Sequence, residues 1–258
     1  MVNKGLKGDK MKKVIAISSS GRKRNTYRLI ESTREMLKEA GIEVEIIHLA
    51  DIDIKDCRGC DACILTDRCP VKDKVPDVLN QMQAADGIIL TSPVYMASVS
   101  GQLKRLMDRT CRWYHRPALV GKPVLLMTTT AGGYVTDVLD YMKKVCTFWG
   151  CNVCGQVSRT LKAWDEGVSE KEIHSFIKAV NEQSKWNPDM NQVITFQVQK
   201  ALAFYVFPKD RSYWERHGWW RRVYYEGSQI TRYQKLMGYS FFKLLSRGMS
   251  ISKKPSED

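Results

Sequence analysis

Residues 12–26 read KKVIAISSSGRKRNT, and what this stretch does decides the fold. Its first half, KKVIAIS, is a short β-branched run that predicts a buried strand. The second half, SSSGRKRNT at 18–26, turns polar at once and feeds a segment at 26–40. Apolar residues there fall at Leu29, Ile30, Met36, Leu37 and Ala40, the 3.6-residue period of an amphipathic helix. Gly41 stops that helix. A second strand follows at 43–49 (EVEIIHL).

The same alternation then runs down the chain. A helix at about 75–85 leads to a third strand at 87–92 (GIILTS), and a helix at 98–113 leads to a fourth at 123–129 (PVLLMTT). A helix at 134–149, a fifth strand at 151–157 and a helix at 169–185 complete the series, the last with Ser169 as N-cap and Glu172 closing a capping box. Strands alternating with helices five times predict an α/β fold, a doubly wound five-stranded parallel sheet in the flavodoxin-like order 2-1-3-4-5. Ligands of such sheets sit outside the carboxyl ends of the strands, where the order reverses.

Three loops qualify at that edge. The first, 18–26, ends at a helix N-terminus, where unpaired amides and the helix dipole favour a phosphate; Ser19, Ser20, Asn25 and Thr26 can hydrogen-bond it and Arg22 adds charge. The chain has neither a Walker lysine pattern nor a G-x-G-x-x-G, so no triphosphatase or dinucleotide site is signalled. The loop after the third strand carries Pro93, Val94, Tyr95 and Met96, a stiff apolar surface for a ring. The loop after the fourth, Thr129, Thr130, Ala131, Gly132 and Gly133, lets backbone amides approach a ligand closely.

Between the second strand and the next helix lies CRGCDACILTDRCP at 57–70, with thiols at Cys57, Cys60, Cys63 and Cys69. This C-x2-C-x2-C-x5-C run opens with the ferredoxin spacing and gathers soft ligands for one compact centre. Structural zinc more often draws on two separated pairs, so the spacing leans to iron–sulfur over zinc. Cys111, Cys146, Cys151 and Cys154 read as small core residues. The alternation of a strand sends Cys151 and Cys154 to opposite faces.

Bulk properties add limits. A content of 43% hydrophobic and 27% charged residues describes an ordinary globular protein. The polar leader, 1–11, has no apolar signal core and no stretch reads as a membrane span, so a cytoplasmic location is expected. The net charge is +13, and the stretch from Met190 onward carries 12 basic against 5 acidic residues. No helix-turn-helix, zinc-finger or RNA-recognition signature accompanies this charge, so no nucleic acid is expected. Residues 190–258 hold 14 of the 25 aromatic residues and include a basic amphipathic helix at 229–247. This aromatic, basic, mainly helical extension reads first as packing on its own core or on a second subunit. A dock for an acidic electron-transfer protein, peripheral contact with an anionic membrane, or an aromatic lid are the alternatives.

SSSGRKRNT at 18–26, CRGCDAC with CP at 57–70, ADGIILTSPVY at 85–95 and SGQLKRLMDR at 100–109 together resemble the NADPH-dependent FMN reductase family, and more narrowly its iron–sulfur flavoproteins. The resemblance covers roughly residues 12–186. Serines stand where the family's first phosphate-loop glycine stands, and Arg24 where its later one does. The resemblance implies FMN with its phosphate near Ser19, Ser20, Arg22, Asn25 and Thr26 and its ring between 93–96 and 129–133. It also implies a [4Fe-4S] cluster on Cys57, Cys60, Cys63 and Cys69, and a homodimer or homotetramer. The expected organisation is the leader at 1–11, an FMN-binding domain at 12–189 and the extension at 190–258. The expected function is an FMN-dependent oxidoreductase passing electrons between cluster, FMN and an external partner, with ferredoxin or NAD(P)H as donor. A cluster-free NAD(P)H-dependent FMN or quinone reductase is the second expectation, and a non-enzymatic redox sensor the third.

Overall fold

A computed structural model of the chain describes residues 11–182 and 185–251, the side chains of 250 and 251 excepted. Nearly all of the expected leader lies outside the described residues, as does the end of the extension. The strands are β1 Lys12–Ser18, β2 Ile42–His48, β3 Gly87–Pro93, β4 Pro123–Thr130 and β5 Asn152–Thr160. The helices that carry the argument are α1 Asn25–Glu39, α2 Ala62–Leu65, α3 Val75–Ala84, α4 Gly101–Asp108, α5 Cys111–His115, α6 Val135–Trp149 and α7 Glu170–Glu182. The extension adds α8 Met190–Tyr205, α9 Pro208–Arg216 and α10 Arg232–Ile251.

All five strands pair in parallel in the order β2-β1-β3-β4-β5, as the alternating pattern predicts. Helices cover both faces, which is why the inner strands are continuous apolar runs and every residue of β3 is buried. Successive side chains feed opposite layers. Ile15, Ile17, Ile88, Leu90 and Leu126 pack with residues of α3 to α6, whereas Val14, Ala16, Ile89, Leu125 and Met127 pack with residues of α1 and α7. Helix α7 lies close on the sheet over two glycines. A Cβ on Gly87 would come within 2.8 Å of Val180 Cγ2, and one on Gly155 within 3.3 Å of the Glu172 carbonyl oxygen. Cys146 and Cys151 sit in the first layer and Cys154 packs against the second, so the C-x2-C pair does divide between faces.

The expected single helix at 98–113 is two. Thr110 ends the first by turning its hydroxyl back onto the Met107 carbonyl (2.6 Å) while accepting from Trp149 Nε1 (2.9 Å). A threonine that satisfies itself on the preceding turn competes with helix propagation. The chain therefore bends at Arg109 and Thr110 and restarts as α5.

The extension forms a third apolar cluster of Val193, Phe196, Trp214, Trp219, Tyr224 and Tyr225. A capping box between Asp189 and Gln192 starts α8. Close approach of α10 depends on Gly238, where a Cβ would stand 2.5 Å from Val223 Cγ1. Lys200 is buried between them, donating to the Arg222 carbonyl (3.0 Å) and lying over the Phe242 ring. Among the described residues no helix is long and apolar enough to cross a membrane.

Two ionisable groups give this packing a pH signature. Arg159 donates to both carboxylate oxygens of Glu172 (2.8 and 3.0 Å), and that bond, aided by Ser169, holds the Glu172 carboxyl down at about 2. A depressed carboxyl stabilises the fold above its unfolded value and loses that contribution as pH falls through the folded one. Glu172→Gln is therefore expected to cost roughly 1–2 kcal/mol at pH 7 in denaturant titrations. The gap to the parent should close between pH 4.5 and 2. Burial pulls the Lys200 ammonium down to about 8, so its charge costs stability below that pH and the cost fades as pH rises toward 10.5. Lys200→Met should raise the melting temperature at pH 7, with the gain shrinking by pH 10; a gain independent of pH would contradict this.

Candidate functional site

The cleft at the carboxyl edge is built by β1, β3 and β4, whose ends are held in register. Ser19 donates to the Thr91 carbonyl (2.7 Å) and accepts from the Ser100 hydroxyl (2.9 Å). Thr26 and Thr129 hydroxyls share a hydrogen bond of 2.5 Å, tying the start of α1 to the end of β4. The resulting cleft of about 280 Å³ is lined by Ser20, Arg22, Asn25, Thr26, Pro93, Val94, Tyr95, Thr129, Thr130 and Ala131, all expected from sequence, together with Arg24 and Trp164.

Four expected residues do not line it. Ser19 is fully buried and its hydroxyl is spent on Thr91 and Ser100, so it supports the loop instead of meeting a ligand. Gly132 and Gly133 lie outside the lining, although Gly132 donates its N–H to the Thr130 hydroxyl (3.1 Å) and Thr130 donates to the Gly133 carbonyl (3.1 Å). Met96 is fully exposed at the tip of a two-residue turn. Tyr95 and Ser98 exchange backbone hydrogen bonds there (2.9 and 3.0 Å), with φ of 47° at Met96 and 60° at Ala97. Paired positive φ angles are the province of Asn and Gly, so this turn is strained.

The cleft fits a phosphorylated flavin on its own chemistry. No side chain caps the N-terminus of α1 and no acidic residue stands in its first turn, which leaves amides for an anion beside Arg22 and Arg24. Trp164, missed in the sequence because it follows the fifth strand and not one of the three expected loops, lines the cleft with a buried indole N–H that has no partner. A ligand acceptor atom would satisfy it.

The cysteine run lies in the loop between β2 and α3. Cys57, Cys60 and Cys69 are exposed and Cys63 half-buried, all as free thiols. Among the described residues no three Cys, His, Asp or Glu side chains stand in metal-binding geometry. The thiols are still near neighbours: burial, then Cys69 and Cys57, push the Cys63 thiol up, while Arg112 pulls it down. Thiols that oppose one another's ionisation suit a shared cationic centre. A fifth, Cys111, is exposed and is not the core residue its composition suggests. Its thiol donates to the Asp108 carbonyl (3.0 Å) within electrostatic reach of Cys57 and Cys63.

Four arginines hold this loop, and nothing in the sequence pattern singles them out from a solvated helix face. Arg105 lies in α4 and Arg109 just after it, Arg112 in α5 and Arg116 just after that, and all four reach back to residues 54–73. Arg105 donates to the Ile54 carbonyl (3.2 Å), and Arg112 to the Asp67 carbonyl (2.8 Å). Arg116 donates to the Ile64 carbonyl, to Asp67 (2.7 Å) and to Asp210 of α9 (2.5 Å). Arg109 is the most enclosed, with 1% of its side chain exposed against 0% for its partner Asp73. Burial would push the Asp73 carboxyl up, but Arg109 and the backbone N–H groups of Lys55 and Val75 together hold it below its usual range. A second cavity, about 200 Å³, lies alongside and is lined by Cys63, Cys69, Arg109, Arg112 and Trp113 among others. Arg109 Nε and Trp113 Nε1 are buried there without partners. Two orphaned donors beside two thiols fit an acceptor-rich guest such as a cluster with its sulfides.

Residues 12–165 match the family model for NADPH-dependent FMN reductase. An iron–sulfur flavoprotein of Archaeoglobus fulgidus is 48% identical over 98 residues, covering 38% of this chain and 48% of that protein. One from Methanocaldococcus jannaschii is 46% identical over 110 residues, covering 42% of this chain and 54% of that protein. The chain thus spans about half the length of these curated relatives. The solved structure of a flavone reductase superposes with a TM-score of 0.53 at 18% identity, over 66% of this chain and 64% of that one, and shares the fold. With well over half of its length inside the family model, the chain belongs to the NADPH-dependent FMN reductase family.

Proposed function

We propose that this chain is an oxidoreductase that holds FMN in the cleft at the carboxyl edge of the sheet and a [4Fe-4S] cluster on Cys57, Cys60, Cys63 and Cys69. The observation that carries the flavin reading is the convergence of three loops on one cleft, with open helix amides at one end and an unpartnered Trp164 N–H in its wall. Bound there, FMN would supply one- and two-electron redox chemistry and the cluster one-electron exchange, with ferredoxin or NAD(P)H as donor.

The chain's own residues provide binding and orientation. Asn25 and the first amides of α1 suit the phosphate, with Arg22 and Arg24 neutralising its charge and Ser20 and Thr26 shaping the wall. Pro93, Val94 and Tyr95 offer a flat wall to the ring, and the Thr129–Ala131 backbone offers polar contacts along its edge. The similarity to iron–sulfur flavoproteins supports the cluster, as do the Arg109 and Trp113 donors beside the thiols. Exposed apolar side chains at Tyr95, Met96 and Tyr134 support assembly as a homodimer or homotetramer.

Iron, acid-labile sulfide and FMN per chain after anaerobic purification test this reading. Stoichiometric FMN with four irons and four sulfides is expected. FMN without iron or sulfide would remove the cluster and leave a plain NAD(P)H-dependent FMN or quinone reductase. Asn25→Ala with Arg22→Ala should weaken FMN binding on the order of 10–100-fold, since charge-assisted phosphate contacts are lost, while cluster content stays unchanged. Light scattering should give a mass of two or four chains, and Met96→Asp should shift it toward one; a monomeric parent would sink the assembly.

A further inference from the structure

The loop that carries the four cysteines has almost no core of its own. Helix α2 has no buried residue, and Leu65 within it is 59% exposed. The Lys74 N–H bond to the Asp53 carbonyl (3.2 Å) and the Lys55 ammonium bond to the Lys72 carbonyl (3.0 Å) draw its ends together, and one buried side chain bonds both ends and a cysteine. Arg109 Nη1 donates to the Lys55 carbonyl (3.0 Å) at the loop's start, and Nη2 donates to the Val71 carbonyl (3.5 Å) at its end. The same Nη2 donates to Cys69 Sγ (3.5 Å), and both terminal nitrogens bond Asp73. Asp73 in turn accepts from the Lys55 N–H (2.9 Å) and the Val75 N–H (3.2 Å). The remaining donor, Nε, is buried without a partner in a residue that lines the cavity between Cys63 and Trp113.

We propose that Arg109, held by Asp73, is the positioning residue of the cysteine centre: it joins the two ends of the loop and, as a cation bonded to Cys69 sulfur, sets the reduction potential of the group the thiolates hold. The inference rests on the cluster reading above. A donor or positive charge at a ligand sulfur stabilises the more negative, reduced state and raises the potential. The Asp73 carboxylate bonded to that guanidinium carries the opposite charge and acts in the opposite sense. The buried pair thus supplies both signs, and the two residues are separable. Lysine cannot replace the arginine, because a single ammonium cannot span two carbonyls, a carboxylate and a sulfur at once.

The test uses the full chain, purified anaerobically with its cluster and FMN. Redox titration followed by electron paramagnetic resonance reads the cluster, and visible absorbance reads the flavin. Arg109→Gln should move the cluster potential to more negative values and Arg109→Lys should move it less. Asp73→Asn should move it to more positive values, with the flavin potential unchanged in all three. Opposite signs are the diagnostic, since mere loosening of the loop would shift both variants the same way. Shifts of one sign, or none at full cluster content, overturn the proposal. Should iron and sulfide be absent from the parent chain, the cluster reading fails and the positioning claim is decided on the apo chain by limited trypsin digestion. Cleavage after Arg58 and Arg68 should then rise at least about fivefold in Arg109→Gln, a local opening cost of about 1 kcal/mol, and less in Arg109→Lys. Unchanged cleavage in both variants overturns it.

Discussion

The buried pair between Arg109 and Asp73 is the constraint on which the cysteine half of the molecule depends. An enclosed ion pair adds little net stability over an apolar isostere, because desolvating both charges costs nearly what their attraction returns. What it adds is definition. An apolar contact would tolerate slippage of the loop, whereas a guanidinium with a carboxylate, two carbonyls and a sulfur around it has one arrangement. Removing either member leaves a buried charge alone, at a cost of about 3–5 kcal/mol. The loop between β2 and α3 is long and largely exposed, and such a segment holds a shape only through fixed polar contacts. Arg112 and Arg116 repeat the device over its middle, on Asp67 and the Ile64 carbonyl.

The flavin edge solves a different problem with hydroxyls. Parallel strands end together, so Ser18, Thr91, Ser92 and Thr128–Thr130 crowd one rim of a sheet that is buried on both faces. Some of these must serve the scaffold. Ser19 and Ser100 join the first and third loops, Ser92 accepts from the Ser100 N–H (2.9 Å), and Thr26 with Thr129 joins the first and fourth. The hydroxyls that line the cleft, those of Ser20, Thr26, Thr129 and Thr130, are themselves bonded within the loops. The strained turn at Met96 and Ala97 sits on this frame, which over-determines its ends through the Tyr95–Ser98 bridge.

This division explains which parts were legible in sequence. Continuous apolar runs locate the strands, the helical period locates α1 and the capping box starts α7, because a doubly covered parallel sheet leaves few other ways to bury them. The cleft was legible for the same reason: topology alone brings the ends of β1, β3 and β4 together. Individual roles were not. Ser19 and Ser20 are adjacent serines in one loop, and only the structure shows the first spent on Thr91 and Ser100 and the second turned onto Arg22 at the cleft wall. Thr110 reads as an ordinary helix residue until Trp149 is seen to fix its hydroxyl. The arginines at 105, 109, 112 and 116 read as a solvated face because their partners come from residues 54–73, a segment without periodicity. Cys111 is misread for the same cause, since it belongs to that face.

The extension enters through the same face. Helix α5 has five residues, too few to persist unaided, and its C-terminal carbonyls would be orphaned in an apolar setting. The extension satisfies them: Gln199 donates to the Tyr114 carbonyl (2.8 Å), Trp214 Nε1 to the His115 carbonyl (2.9 Å) and Tyr213 to the Pro117 carbonyl (2.8 Å). On the other side, α5 presents Arg112 and Arg116 to the cysteine loop, and Arg116 bonds Asp67 and Asp210 with the same guanidinium. Helix α5 is therefore a shared strut with the cysteine loop on one flank and α8 and α9 on the other. Because its own propensity is weak, its geometry follows whichever neighbours hold it. Arg116, bonded at once to Asp210 of α9 and to Asp67 and the Ile64 carbonyl of the cysteine loop, joins the two directly.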